Sequence, residues 1–302
     1  MNRQKAIGNN LSRRSTEIRN RVREEFEMKL HFYTPGLPLS QFVDQFWLCQ
    51  DYHPPYRKER ILPVGKMELI INLGDIPVRV DYSDLFSSSQ CFPEAFVAGA
   101  RSRFFVVDTT HPATVLGIQF KTGVSLPLFE APASELHNLH VSLDTLWGAE
   151  AHDLYCQVSE ASTPVVKFRV VERALSARFN HYREKRQHRA IALSLSIFNH
   201  LPHTATISQV IKQIGISPTR FIQIFKEEIG LTPKLFRRIC RFQEVLSHIA
   251  KEKSKSWADL AVMYGYYDQA HLINDFREFA GISPGQYFAP NSEHPNNLPF
   301  TC

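Results

Sequence analysis

The sequence predicts an α+β protein: a β-rich N-terminal sensor-like domain, a helical connector, and an all-α C-terminal domain with two helix-turn-helix units joined by a linker helix. Three observations predict it. Short apolar runs rich in β-branched and aromatic residues, broken by Pro, Gly, Asp and Ser, fill residues 30–135. From Ser142 the apolar spacing becomes helical. After residue 200 a two-copy repeat of paired short helices takes over. The resulting division is a flexible basic arm (1–29), a β-rich regulatory domain (30–140), a connector (141–182), the C-terminal domain (183–288) and a disordered tail (289–302).

The arm is polar and rich in Arg, Asn and Ser, with a short helix expected over Ile18–Met28. Ser40–Trp47 (SQFVDQFW) spaces its apolar residues as a short amphipathic helix. Strands are expected in Arg60–Leu73, Ala95–Ala98, Phe104–Val107 and Thr114–Phe120, as an antiparallel sheet or small barrel. Helices are expected over Ser142–Glu160, Pro164–Asn180 and Arg186–His200, Pro164 suiting a first helical position after Thr163. From Ala289 onward, Pro290, Pro295 and Pro299 argue against a regular element.

Charge is unevenly spread. Residues 1–29 hold eight Lys/Arg against four acids, residues 30–182 twelve against sixteen, and residues 183–288 fifteen against nine. A polyanion would be drawn to the C-terminal domain and away from the middle of the chain. The five cysteines are scattered, with no C-x-x-C pair, which argues against a zinc site or a disulfide framework and for reduced thiols in a cytoplasm. No apolar run approaches the roughly 18–20 residues that span a bilayer, and no apolar stretch follows the basic N-terminus as in a secretory signal. The expectation is a soluble cytoplasmic protein.

The repeat carries most of the functional information. Ile207–Gly215 is followed by Ile216-Ser217-Pro218, then by Phe221–Gly230 and Leu231-Thr232-Pro233. About fifty residues on, the pattern returns: Trp257–Gly265, Tyr266-Tyr267-Asp268, Leu272–Gly281 and Ile282-Ser283-Pro284. In each copy a short amphipathic helix ends at a glycine able to turn the chain in the left-handed conformation. Ser217 and Asp268 are the N-cap candidates, and Pro218 suits the first helical position. The second helix buries Phe221, Ile224 and Phe225 in one copy and Leu272, Phe276 and Phe279 in the other. Such a tight-turned pair is the unit whose second helix enters the DNA major groove. A plain helical bundle explains one copy well, and two copies at matched spacing on the basic end of the chain much less well. Between them, Pro233–Ala250 is long enough for a helix of roughly 27 Å. Its apolar side carries Phe236, Ile239, Phe242, Leu246 and Ile249. It could set two recognition helices into major grooves about 34 Å apart.

Residues 186–288, with G-I-S-P…F-K-E-E-I-G-L-T-P, R-R-I-C-R-F and G-Y-Y-D-Q-A-H-L…F-R-E-F-A-G-I-S-P-G-Q-Y-F, resemble the AraC/XylS family of bacterial transcription regulators. The stretches YTPGLPLSQFVDQFW (33–47), ILPVGKMELIINLGD (61–75) and FVAGARSRFF (96–105) are similar to a poorly characterised N-terminal domain of one branch of that family. The resemblance implies a sequence-specific regulator of double-stranded DNA. Thr219, Arg220, Ile222, Gln223 and Lys226 would face DNA in the first unit, and Gln269, Ala270, His271, Ile273, Asn274 and Arg277 in the second. Gln223 could read adenine through a bidentate contact, and Lys226 suits a phosphate. The family often has Arg where this chain has Gln223 and Asn274, and Asp275 adds an acid, so the second unit is expected to bind weakly or mainly to position the protein. RNA polymerase, a small-molecule effector and a second copy of the chain are partners the resemblance leaves open. It implies no cofactor.

In the N-terminal half, His137-x-x-His140 has a spacing compatible with a metal, but no converging partner supports one, and surface histidines are the expected reading. Phe46, Trp47 and Phe120 could line a pocket, with core packing the default. Two rivals remain. A helical protein-interaction module would show weak salt dependence, whereas phosphate contacts give a steep one. The other is an enzyme, with the β-rich half as a catalytic barrel carrying a DNA-binding appendage, for which no catalytic constellation stands out. Its close variant, a DNA-repair methyl acceptor, needs a zinc-bound cysteine cluster that the scattered cysteines argue against.

Overall fold

A computed structural model describes residues 28–82, 85–124, 128–181, 188–200, 206–251, 256–287 and 295–300. The expected N-terminal arm lies outside these except at its end. The strands are β1 (Lys29–Tyr33), β2 (Val43–Tyr52), β3 (Lys58–Ile61), β4 (Glu68–Asn72), β5 (Val78–Tyr82), β6 (Leu85–Phe92), β7 (Ala95–Ala98), β8 (Phe105–Asp108), β9 (Ala113–Phe120), β10 (His140–Ser142) and β11 (Asn297–Pro299). They form two antiparallel sheets, ordered β1-β2-β9-β4-β7-β10 and β11-β3-β8-β5-β6.

The helix expected at Ser40–Trp47 is instead a 3-10 turn, Leu39–Gln41, running into β2. The pairing of β2 with β9 breaks register between Val43 and Gln45. The extra residue puts the buried Val43 and Phe46 three apart along the strand, which imitates helical spacing. The tail is corrected too. Asn297–Pro299 pairs antiparallel with β3, Leu298 is 1% exposed, and the Phe300 ring lies 5.0 Å from the Arg60 guanidinium.

Helices follow from Leu143. They are α1 (Leu143–Trp147), α2 (Ala149–Glu160), α3 (Pro164–His181), α4 (Arg189–His200), α5 (Ile207–Ile214), α6 (Pro218–Ile229), α7 (Pro233–Lys251), α8 (Trp257–Met263), α9 (Gln269–Ala280) and α10 (Pro284–Tyr287). The single helix expected over Ser142–Glu160 is split at Gly148, whose φ of 60° a helix cannot hold. The connector helices pack on the first sheet. Phe168 on α3 stacks on Tyr33 at 5.6 Å and meets Phe46 at 6.1 Å, and Phe179 stacks on Phe42 at 4.0 Å. One apolar core then runs from Leu39 through these helices to Tyr287 and Leu298. Phe46 and Phe120 are fully buried in it, as the packing reading expects.

A smaller apolar cluster lies apart, built on Val80, Phe92 and Phe96 with Tyr82 and Phe105 against it. His140 belongs here and not at the surface: it is 3% exposed, ringed by Phe92, Phe96 and Phe105. Its Nδ1 lies 3.1 Å from Tyr82 Oη and accepts from Arg101 Nη1 at 3.2 Å. Burial, and then the adjacent Arg101 cation, hold the imidazole well below its usual pKa and therefore neutral. Strand position, not local pattern, buries it: His140 pairs with Ala98 across β10 and β7.

The paired tail yields a test. Ending the chain at residue 288 removes Leu298 from the core and uncovers the edge of β3, with an expected loss of roughly 2–3 kcal/mol in urea unfolding. An unchanged unfolding midpoint would mean that the strand contributes nothing.

Candidate nucleic-acid interface

The first helix pair is fixed by its own backbone hydrogen bonds. Thr206 and Gln209 form a reciprocal capping box that starts α5, the Thr206 hydroxyl accepting from Gln209 N at 3.2 Å and Gln209 Oε1 from Thr206 N at 2.8 Å. Gly215 ends the helix at φ 76°. Ser217 caps α6, accepting from Arg220 N at 3.3 Å, and Pro218 occupies the first turn. Phe221, Ile224 and Phe225 are buried, which leaves Thr219, Arg220, Ile222, Gln223 and Lys226 exposed on the opposite face. The Gln223 amide donates to Glu227 Oε1 at 2.9 Å and must exchange this contact to reach a base.

The second pair repeats the plan with one difference. Ser256 caps α8, but that helix stops at Met263, and Gly265 makes the left-handed turn at φ 66° two residues later. Asp268 caps α9, accepting from His271 N at 2.7 Å. Leu272, Phe276 and Phe279 are buried, Gln269, Ala270, Asn274 and Arg277 are exposed, and His271 and Ile273 are half-buried. The His271 ring accepts the Tyr267 amide at 3.5 Å and so also holds the turn. Tyr267 itself is 93% exposed.

Asp275 does not lie on this polar face. It is 1% exposed, on the buried stripe with Leu272, Phe276 and Phe279. Arg238 of α7 neutralises it through Nη2 at 2.7 Å and Nε at 3.2 Å, and also reaches Glu278. Burial opposes the charge on Arg238, but its bonds to Glu278 and Asp275 outweigh that and hold it more firmly protonated than usual. The acid that sequence reading set against DNA is therefore spent inside the protein, and the expectation of a weakened second unit loses that ground. Sequence reading missed this pair, although helical phase alone puts position 275 beside 272, 276 and 279. One turn along α7, Arg241 donates to the Gly265 carbonyl at 2.6 Å and lies 4.5 Å over the Tyr266 ring.

The linker helix α7 serves both pairs. Phe236 meets Phe225 at 5.7 Å, and Phe242 meets Phe276 at 5.1 Å and Phe279 at 5.3 Å. Arg238 and Arg241 fasten the second pair to it from the polar side. Two capped recognition helices thus stand on one rigid support, each presenting a polar face. Among the described residues no helix is long and apolar enough to cross a membrane, and no group of three or more His, Cys, Asp or Glu is placed to hold a metal ion.

Comparison with known families agrees with the helix-turn-helix part of this construction. Residues 210–289 match a family described as a helix-turn-helix domain, and residues 31–142 match DUF6597, a domain of unknown function. An uncharacterised HTH-type transcriptional regulator of Haemophilus influenzae is 31% identical over 81 residues, 27% of this chain and 27% of that protein. ToxT of Vibrio cholerae, in its apo form, superposes with a TM-score of 0.47 at 10% identity, over 80% of this chain and 96% of that one. The C-terminal domain of AraT, a response regulator from Geobacillus stearothermophilus, gives 0.31 at 18% identity, over 36% and 98%. The C-terminal part of the chain thus matches a helix-turn-helix domain, and the part before it matches DUF6597.

Two outcomes follow for this end of the molecule. Arg238→Ala strands Asp275 in the core, with an expected loss of about 2–4 kcal/mol in chemical unfolding, most of it recovered by the double variant Arg238→Met with Asp275→Leu. Equal losses in the single and double variants would contradict the pairing. Glu228 on α6 is half-buried and accepts from His188 N at 2.8 Å; burial pushes its carboxyl up to about 7. A carboxyl with a raised folded-state pKa is held protonated by folding, so this stabilisation is full below about pH 4.5 and lost as pH rises through 7. Glu228→Gln should flatten the fall in melting temperature between about pH 5 and 8. Parallel pH curves for the two proteins would refute it.

Proposed function

We propose that this chain, built around an AraC-type helix-turn-helix domain, is a sequence-specific DNA-binding transcription regulator. In this reading α6 and α9 enter successive major grooves on one face of double-stranded DNA. The observation that carries it is the pair of exposed, capped recognition helices on a single linker helix, at the basic end of the chain. Gln223 is assigned to base reading, most simply of adenine, and Lys226 to a phosphate. Thr219, Arg220 and Ile222 flank them, and Gln269, Ala270, His271, Ile273, Asn274 and Arg277 form the corresponding surface of α9. With Asp275 neutralised by Arg238, no buried acid faces the duplex from α9, so base reading by the second unit belongs to the proposal too.

The DUF6597 domain is the regulating module in this reading, the place where a small-molecule effector or a second copy of the chain would act, and RNA polymerase is the downstream partner. The protein would work in the cytoplasm, on the nucleoid. No catalytic step is part of it.

Selection from random duplexes with the purified full-length chain, followed by titration at several salt concentrations, tests the reading. An asymmetric motif with two clusters about one helical turn apart and a steep salt dependence is expected. Gln223→Ala should relax the preference at one position at a cost of ~1–3 kcal/mol, whereas Lys226→Ala should weaken all duplexes alike and lower the salt slope by about one. Loss of affinity in both without any change of preference would overturn the role assignments. No enrichment together with weak salt dependence would overturn DNA binding itself.

A further inference from the structure

The two recognition helices end at equivalent glycines of the repeat, Gly230 after α6 and Gly281 after α9, both left-handed at φ 84° and 67°. Both are pressed against the N-terminal domain. A Cβ on Gly230 would lie 2.8 Å from the Ala133 carbonyl oxygen and 3.4 Å from the Ala100 Cβ. A Cβ on Gly281 would lie 2.3 Å from the Phe104 ring. By contrast, Gly215, which ends the first helix of the first pair, has open space around the same position. The close backbone approach is thus made at the ends of the two recognition helices and not at Gly215.

Ala100 and Phe104 sit at either end of one short loop between β7 and β8, and that loop is held from behind. Gly99 N donates to the Leu139 carbonyl at 3.0 Å, and Asn138 N to the Ala100 carbonyl at 3.2 Å. Asn138 Oδ1 accepts from Ser102 N at 2.8 Å, and the Arg101 guanidinium bonds the Asn138 carbonyl and His140 while lying 4.7 Å over the Phe105 ring. The Arg60 guanidinium lies 4.6 Å over the Phe104 ring. A third attachment reaches α7, where Gln243 donates to the Pro63 carbonyl at 2.8 Å. His137, beside this loop, donates to or accepts from Ser102 Oγ at 3.3 Å and is held below its usual pKa by burial and then by the Arg101 and Lys226 cations.

We infer that the loop Gly99–Phe104 and the turn at Ala133 together brace the ends of the two recognition helices, and that Phe104, Ala100 and Ala133 are positioning residues that set which half-site spacing the protein accepts. The inference rests on the proposed DNA-binding function. Each contact falls at the end of a recognition helix, where a small shift swings the whole helix. A one-base-pair change in spacing moves a half-site by about 3.4 Å and turns it by about 35° around the duplex. The shared linker helix already limits how far the two units can rotate to follow such a change, and a second fixing point at the ends of the recognition helices limits it further.

The test uses full-length protein and a series of duplexes in which the two clusters of the selected motif are moved one or two base pairs closer or further apart. Wild type should prefer one spacing by about tenfold or more, whereas Phe104→Ala should bring neighbouring spacings to within about threefold of the best. Phe104→Leu, which keeps much of the apolar contact and guards against a folding defect, should lie between them. Phe32→Ala, at a 61% exposed position on β1 remote from the brace, should behave as wild type. Affinity for a single isolated half-site should be the same in all four proteins, a readout that general destabilisation would lower. An unchanged spacing profile in Phe104→Ala would overturn the brace while leaving DNA binding standing. A wild type that selects no DNA sequence would overturn both.

Discussion

The linker helix has to bury one apolar stripe against two helix pairs at once, and the rest of the C-terminal domain depends on that constraint. Phe236 faces the first pair, Phe242 faces Phe276 and Phe279 of the second, and Ile239, Val245, Leu246 and Ile249 complete a stripe with no exposed member. Because the support is shared, neither recognition helix can reorient without disturbing a core common to both. The polar side of the same helix adds direction: Arg238 fixes the inner face of α9 and Arg241 fixes the turn before it. Apolar burial supplies most of the stabilisation, and the arginines select one arrangement among those burial would allow.

The same principle extends into the N-terminal domain. A core running from Leu39 to Leu298 leaves no solvent layer between the first sheet and the helices that follow it. The strand Asn297–Pro299 returns from beyond the C-terminal domain to pair with Lys58–Ile61, so the end of the chain closes the edge of the second sheet of the N-terminal domain. Gln243 links α7 to both Pro63 and Asn296. An event in the DUF6597 domain therefore has short, packed routes to both recognition helices, the physical condition for regulation through that domain.

Sequence was most informative where structure is set by neighbours in the chain. The caps at Ser217 and Asp268, the left-handed Gly215, and the buried aromatics of both recognition helices were legible because they follow from hydrogen bonds or contacts three or four residues apart. The caps at Thr206 and Ser256, which sequence reading passed over, are of the same local kind. The exposed set from Thr219 to Lys226 follows from the same phase. Sequence was misleading where a distant partner decides. Val43 and Phe46 look helical because a bulge against β9 inserts a residue. His140 looks exposed, although β7, Tyr82 and Arg101 enclose it. The tail looks unstructured because its partner strand lies some 238 positions away. Asp275 was read by charge when its helical phase already assigned it to the core, and only its partner, Arg238, lay beyond local reading.

Two recognition helices held as one rigid unit should read DNA in adjacent turns. Hydroxyl-radical footprinting of the full-length protein on its selected duplex tests this most directly. Two protected windows on the same face, about 10 base pairs apart, should appear together over one narrow range of protein concentration. A single window, or two that fill at separate concentrations, would contradict it.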